Sequence, residues 1–314
     1  MALTIDDVDL FEASRHRLEA IAYRLLGSAA EAEDAVQEVF LRWQAADRHR
    51  IEVPGAWLTK VLTNQCLNQL TSARVRRETY VGQWLPEPLL AGDPMLGPAD
   101  TAEQRESVSI AVLTLMERLS PVERAVYVLR EAFDYPHREI AEILEITEAS
   151  SQQTFHRAKK HLADGKARTA IDEAAARRIV EEFLAAATSG ETEPLVRMLT
   201  ADAIAIGDGG GKVPARARAF EGAAAVAKFM WGLLKPGEAK RKMVGGSPEI
   251  YATSANGAPA AIAVVDGQVV GVICIEVTDE GIAAFRNQVN PDKLARATAR
   301  FAASDHGSPL LRAF

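Results

Sequence analysis

Ser150, Gln152, Gln153, His156, Arg157 and Lys160 fall on the outward side of one 3.6-residue repeat. Glutamine carboxamides pair bidentately with adenine edges, and arginine and lysine suit phosphates or guanine. The set is therefore suited to a DNA major groove, although solvated helix faces also carry such residues. A second group of chemical interest is Asp208-Gly209-Gly210-Gly211-Lys212. A glycine run after a strand can cradle phosphate, but this one lacks the Walker spacing and a following Ser or Thr, so a sharp turn is expected. Asp208 is a candidate for proton transfer, and Glu276 is a further strand carboxylate. The surrounding runs AAIAVV and VVGVICIEV are almost wholly apolar and offer Asp208 no evident partner, and His306 lies near the C-terminus. Binding or docking is expected there, not catalysis.

The elements that position the first group lie between Leu119 and Leu162. Ser120, Pro121 and Glu123 form a helix start with a capping box. A break at Asp134-Tyr135-Pro136 leads to a short helix burying Ile140, Ile143 and Leu144. After a turn with Thr147 as N-cap, a further helix puts Ser151, Phe155, Ala158 and Leu162 inward. A short helix, a tight turn and a helix with a polar outer face is the helix-turn-helix pattern. Upstream, residues 6–78 read as helices, with Gly27 ending the first and Ser28 and Glu31 capping the second. That second helix shows Glu33, Asp34, Gln37, Glu38 and Arg42 on one side. Pro54 starts a third, with Trp57, Val61 and Leu62 inward. Trp43 and Trp57 read as core.

The 314 residues suffice for two or three domains, with 48% hydrophobic and 25% charged residues. No apolar run approaches a membrane span, the N-terminus lacks a basic region followed by an apolar stretch, and Cys66 and Cys274 lie far apart. A cytoplasmic protein with no disulfide framework, metal site or cofactor is expected. A net charge of −7 argues against nonspecific coating of nucleic acid, but the basic residues cluster, as Arg74, Arg76 and Arg77 and again as Arg157, Lys159 and Lys160. Residues 79–105, with prolines at 86, 88, 94 and 98, form a linker. Beyond residue 172, helices precede a run of expected antiparallel strands, with Asp266-Gly267 as a hairpin turn. That order argues an α+β domain over 172–294, followed by a tail over 295–314.

AEDAVQEVFLRW, PGAWLTKVLTNQCLNQL with ARVRRE, and LSPVERAVYVLRE with the helix-turn-helix resemble, in order, the two modules of an extracytoplasmic-function (ECF) sigma factor. WLPEP, DGGGK and NPDKL resemble motifs of the ECF group that carries a fused C-terminal SnoaL-like domain, a cone-shaped α+β fold. The resemblance implies a multidomain chain: region 2 over 1–78, region 4 over 106–165 and the cone-shaped domain after them. It implies core RNA polymerase (β′ clamp and β flap) and promoter DNA as partners. Asp34, Gln37, Glu38 and Arg42 would meet the clamp. Asn64, Asn68, Arg74, Arg76 and Arg77 would meet the −10 element, and the 150–160 set the −35 element. Asn68 and Thr71 stand where the family favours Asp and Arg, and Gln152 where Arg or Lys is frequent. Trp84, Pro86, Glu87, Asp208, Lys212, Asn290, Asp292 and Lys293 would form a regulatory contact between the C-terminal domain and the linker or the DNA-binding modules. The fold also leaves room for a small-molecule ligand. Two other functions stay open at this point: a helix-turn-helix regulator with a ligand-binding domain, and a SnoaL-like enzyme tethered to a DNA-binding module.

Overall fold

The computed structural model describes residues 4–162 and 173–312, apart from 217 and 236. The side chains of residues 73–78, and with them Arg74, Arg76 and Arg77, lie outside the described residues. Two units are present: residues Met1–Thr79 with Pro94–Gly165, and Tyr80–Asp93 with Lys166–Phe314. The linker segment is therefore divided, its first part belonging to the second unit.

In the first unit, Thr4 and Asp7 form a capping box for helix α1 (Ile5–Leu26), and Gly27 stops it with φ +72. Helix α2 (Ala29–Ala45) starts on Ser28, whose side chain accepts from Glu31 N. With α3 (Pro54–Glu78) it packs on α1 around Phe11, Ile21, Val36, Val39, Leu58 and Leu62. Trp43 is buried and its ring lies 5.7 Å from that of Trp57. Two short helices follow, α4 (Ala102–Ser107) and α5 (Ile110–Leu115). The expected Ser120–Glu123 capping box opens α6 (Pro121–Tyr127), which runs into one π-helical turn at Val128–Ala132. After the break, α7 (His137–Leu144) starts on Pro136, and Glu145 ends it in the left-handed region at φ +56. Helix α8 (Glu148–Leu162) completes the helix-turn-helix.

The second unit has the expected α+β organisation. Helices α9 (Glu173–Thr188) and α10 (Glu193–Met198) precede strand β1 (Leu199–Asp208) and the short β2 (Phe220–Glu221). Helices α11 (Ala223–Leu234) and α12 (Glu238–Val244) come next. The chain then meanders through β3 (Glu249–Ala255), β4 (Ala258–Val265), β5 (Gln268–Thr278) and β6 (Gly281–Gln288). With β7 (Leu311–Arg312) the sheet order is β2-β1-β6-β5-β4-β3-β7. Breaks in register in the β1–β6, β4–β5 and β5–β6 pairs bend it.

Two expectations are corrected here. The pairing of β1 with β6 is parallel. Hairpin turns govern only consecutive strands, and the long excursion from β1 to β6 frees the pair from them. The segment after 294 is no mere tail: α13 (Ala295–Ala302) buries Ala297 and Phe301, and β7 pairs with β3.

One face of the sheet, with Ala205, Ala261, Ile275 and Phe285, packs on Val180, Phe183, Val226 and Met230 of α9 and α11. Successive strand residues point to opposite faces. Asp208 and Gln288, paired across β1 and β6, therefore face away from those helices, while their neighbours Gly207 and Asn287 face towards them.

Candidate functional site

Thr147 Oγ1 accepts from Ser150 N at 3.1 Å, the expected cap of α8. Ser151, Thr154 and Ala158 are buried, while Gln152, Gln153, His156, Arg157 and Lys160 are exposed and Ser150 is half-buried. The inward stripe thus includes Thr154, which the spacing did not single out. Phe155 is only half-buried, with its ring 6.3 Å from Tyr127 and 5.6 Å from His137. Arg157 donates to Thr154 Oγ1 at 3.1 Å and lies 3.8 Å from Glu123, which steadies it at the edge of the exposed face.

His137 sits at the first position of α7, with Nδ1 2.9 Å from Ser151 Oγ. Burial, then Arg130, pushes its pKa below the ordinary value. The unfolded chain therefore binds the proton first. Stability supplied by neutral His137 is complete above about pH 6.5 and is lost as pH falls from there through the lower folded-state value. The urea midpoint should fall between pH 7.5 and 5.5 by more in the wild type than in His137→Gln; equal falls would contradict this role.

On α2, Asp34, Gln37 and Arg42 are exposed and Glu38 is half-buried. Arg42 donates to Glu38 at 3.2 Å and to Gln65 of α3 at 2.9 Å, so α3 braces one end of the stripe. Leu41 lies among these polar groups and is 49% exposed. Its position seven residues after Asp34 marks it as part of the same face. On α3, Asn68 is exposed and Asn64 half-buried.

The linker residues 80–93 are gripped by the second unit. Asp208, wholly buried, accepts from Tyr80 Oη at 2.6 Å, Leu85 N at 2.9 Å and Gly210 N at 3.0 Å. Lys293 Nζ donates to Asp208 and to Leu85 O, each at 2.7 Å, and lies 4.4 Å from the Trp84 ring. Asn290 Nδ2 donates to Tyr80 Oη at 2.9 Å, and Gln288 donates to Leu85 O and Pro86 O, both at 3.4 Å. Burial, reinforced by Asp208, raises the Tyr80 pKa and keeps its hydroxyl a donor. Gly210 adopts φ +59 where a Cβ would collide with the Asn290 carboxamide, so the glycine run serves a close approach, as expected of a turn.

Further along, Leu89 N donates to Asn256 Oδ1 at 2.8 Å and Ala91 N to Ser254 O at 3.0 Å, adding the linker to the sheet edge. Arg296 makes a bidentate pair with Asp93 at 2.6 and 2.8 Å, and Arg300 donates to Ala91 O at 3.0 Å. Leu85 to Leu90 are buried, Pro86 and Glu87 included.

Asp208 therefore lacks neither partners nor enclosure by protein. It faces the linker and does not line the large cavity of this unit, which removes the basis for reading it as a pocket base. Lys212 and Asp292 pair with each other at 2.6 Å on the surface, more than half exposed, and are not among the groups holding the linker. Tyr80, Asp93, Asn256, Gln288, Arg296 and Arg300 are the members that spacing did not reveal. Glu276 is paired with Arg286. Cys66 and Cys274 are free and buried. Among the described residues no helix is long and apolar enough to cross a membrane, and none of their His, Cys, Asp and Glu groups could hold a metal ion.

Residues 10–76 match the family model described as Sigma-70 region 2, and residues 109–162 match Sigma-70, region 4. The chain is 35% identical over 297 residues to the ECF RNA polymerase sigma factor SigJ of Mycobacterium tuberculosis, covering 91% of this chain and 93% of that one. It is 31% identical over 195 residues to the probable ECF RNA polymerase sigma factor SigI of the same species, covering 60% and 65%. The crystal structure of the M. tuberculosis extracytoplasmic function sigma factor SigJ has a TM-score of 0.69 at 32% identity, covering 96% of this chain and 100% of that one. With both regions matched in order, and a SnoaL-like α+β unit following them, this chain belongs to the extracytoplasmic-function RNA polymerase sigma factors, which direct core polymerase to specific promoters to initiate transcription.

Proposed function

We propose that the second unit governs this sigma factor by gripping the linker between regions 2 and 4. The observation that carries this reading is the enclosure of Asp208 by Tyr80, Leu85 and Lys293. Within the first unit regions 2 and 4 pack together: Arg124 donates to Leu25 O at 2.7 Å, Thr59 Oγ1 lies 3.0 Å from Tyr135 Oη, and Lys60 pairs with Glu145 at 3.0 Å. Two promoter elements set apart along a duplex require those contacts to open and the linker to extend. Released, residues 80–93 would span up to about 45 Å. Held at Tyr80 and at Asp93, they cannot. The grip thus restrains the modules until polymerase, DNA or a ligand favours the open arrangement. The role of the second unit is docking, not catalysis, and the protein works in the cytoplasm beside its polymerase.

Core contact falls to Asp34, Gln37, Glu38, Leu41 and Arg42 against the β′ clamp, with region 4 on the β flap. An exposed apolar side chain ringed by polar groups has the anatomy of an interface patch, an apolar centre with a polar rim. Leu41→Asp should weaken core binding at least tenfold in a fluorescence titration with the fold intact; unchanged affinity would remove Leu41 from the interface. Asn64, Asn68, Arg74, Arg76 and Arg77 serve the −10 element. Ser150, Gln152, Gln153, His156, Arg157 and Lys160 serve the −35 element. Gln152→Ala or Arg157→Ala should cost about 1–3 kcal/mol and relax preference at one base pair if the side chain reads a base. An equal loss on all sequences would mark a phosphate contact instead.

Run-off transcription with core polymerase on the DNA upstream of its own coding sequence tests the whole. Transcripts should depend on the protein and increase with Lys293→Ala. Transcripts that do not respond to Lys293→Ala would overturn the regulatory role of the grip, and no transcript with either form would overturn the promoter assignment.

A further inference from the structure

On the helix-packed side of the sheet the second unit encloses a cavity of about 630 Å³, walled by Ala205, Phe220, Phe229, Ala263 and Ile273 among others. That volume lies in the range of sites for small organic ligands. Asn287 stands in its wall, 3% exposed, and neither heteroatom of its carboxamide has a hydrogen-bond partner. It is flanked across the sheet by Ile273 and Gly207, which supply no polar side chain. A buried amide without partners is a cost that native structures rarely retain unless something meets it. Among the described residues no carboxylate lines the cavity, whereas Arg216, Arg218 and Lys240 do. Lys240 is already engaged by the carbonyls of Gly232 and Lys235, which leaves the two arginines to set the sign of the field.

We infer that this cavity is a binding site for a mainly apolar small molecule carrying one hydrogen-bonding oxygen, neutral or acidic, with Asn287 as the group that recognises the oxygen. The apolar body fills the cavity, the carboxamide donates to or accepts from a hydroxyl or carbonyl, and the arginines disfavour amines.

The site also adjoins the grip. Asn287 faces the cavity and Gln288 the linker; beyond them Pro291, Leu294 and Thr298 line the cavity, while Asn290, Lys293 and Arg296 hold residues 80–93. A ligand that displaces the 287–298 segment therefore acts on the linker. This coupling rests on the regulatory reading above; the site itself does not.

Isothermal titration of the full chain with decan-1-ol, decanoic acid and decylamine tests the inference. The alcohol and the acid should bind and the amine should bind at least tenfold more weakly. Asn287→Leu, of similar volume, should raise the melting temperature of the free protein and weaken decan-1-ol about tenfold. Ala263→Trp should abolish binding by filling the cavity. Failure of both oxygenated probes to bind, equal binding of decylamine, or unchanged decan-1-ol affinity in Asn287→Leu would overturn the site. Binding that leaves proteolysis of residues 80–93 unaltered would overturn the coupling alone. A transcription response to Lys293→Ala is independent of all three probes, so loss of the regulatory reading and loss of the site are separable.

Discussion

Asp208→Ala is expected to destabilise the second unit by about 3–5 kcal/mol, the range for removing one partner of a buried ion pair. The side chain is wholly buried and is surrounded by donors: a tyrosine hydroxyl, two backbone amides, a carboxamide and an ammonium group. With the carboxylate gone, Lys293, whose side chain is 12% exposed, loses that anion while keeping Leu85 O and two aromatic faces. The amide of Leu85 then has no acceptor. The reciprocal change, Lys293→Met, should cost less, because Asp208 would retain its N–H and O–H donors and the methionine refills the stem's volume. The two effects should fall short of adding, since each removes the same pair. Hydrogen exchange reads the result directly. The Leu85 and Leu89 amides should lose protection in Asp208→Ala while strands β4 and β5 keep theirs. Persisting protection of Leu85 together with an unchanged melting temperature would sink this account of the linker.

How much of this was legible beforehand depends on how local the signal is. The helix-turn-helix could be read because its caps, Ser120 with Glu123 and Thr147, and its breaker, Pro136, act over three or four residues. Strands β4 to β6 could be read because apolar runs and Asp266-Gly267 mark them. WLPEP, DGGGK and NPDKL point to a contact of the C-terminal domain with the linker or with the DNA-binding modules, but not to which of the two, nor to its chemistry. Tyr80 and Leu85 lie more than a hundred residues before Asp208, and no spacing reports such a meeting. Lys212 and Asp292, the more conspicuous charges, meet each other on the surface, where an ion pair contributes little. Helix α13 is hard to read from sequence because Arg296 and Arg300, four residues apart, resemble a solvated face, whereas Asp93 and Ala91 stand against them. Leu41 is hidden for the opposite reason: an apolar residue on an amphipathic helix reads as core even where its angular position falls within the polar stripe.

Arg124→Ala should produce the largest loss in the first unit, again about 3–5 kcal/mol. Arg124 is 3% exposed and joins three segments. Its guanidinium donates to Leu25 O at 2.7 Å, Met116 O at 3.1 Å and Glu117 at 2.6 Å. Leu25 belongs to the last turn of α1, where carbonyls lack helical partners and the helix dipole favours a cation. Burial pushes the Arg124 pKa down to about 9, so the cation is retained at neutral pH but at a cost. Because the folded value lies below the unfolded one, that cost is felt at every pH under about 9 and is relieved only as pH rises beyond it. The charge-assisted hydrogen bonds must therefore offset that cost. Alanine abandons all of them and leaves a cavity. At about 2–4 °C per kcal/mol for a unit of this size, the first unit's transition should fall by roughly 10 °C. Arg124→Lys should recover little of it, since a single ammonium cannot reproduce a planar fork that serves two carbonyls and a carboxylate. Arg124→Met with Glu117→Gln should recover more, because the apolar stem refills the volume and no charge is left unpaired. The reverse order, lysine restoring the transition and the methionine pair failing to, would mean that attraction to Glu117 and the helix end outweighs the fork, and that α6 is held to α1 by charge alone.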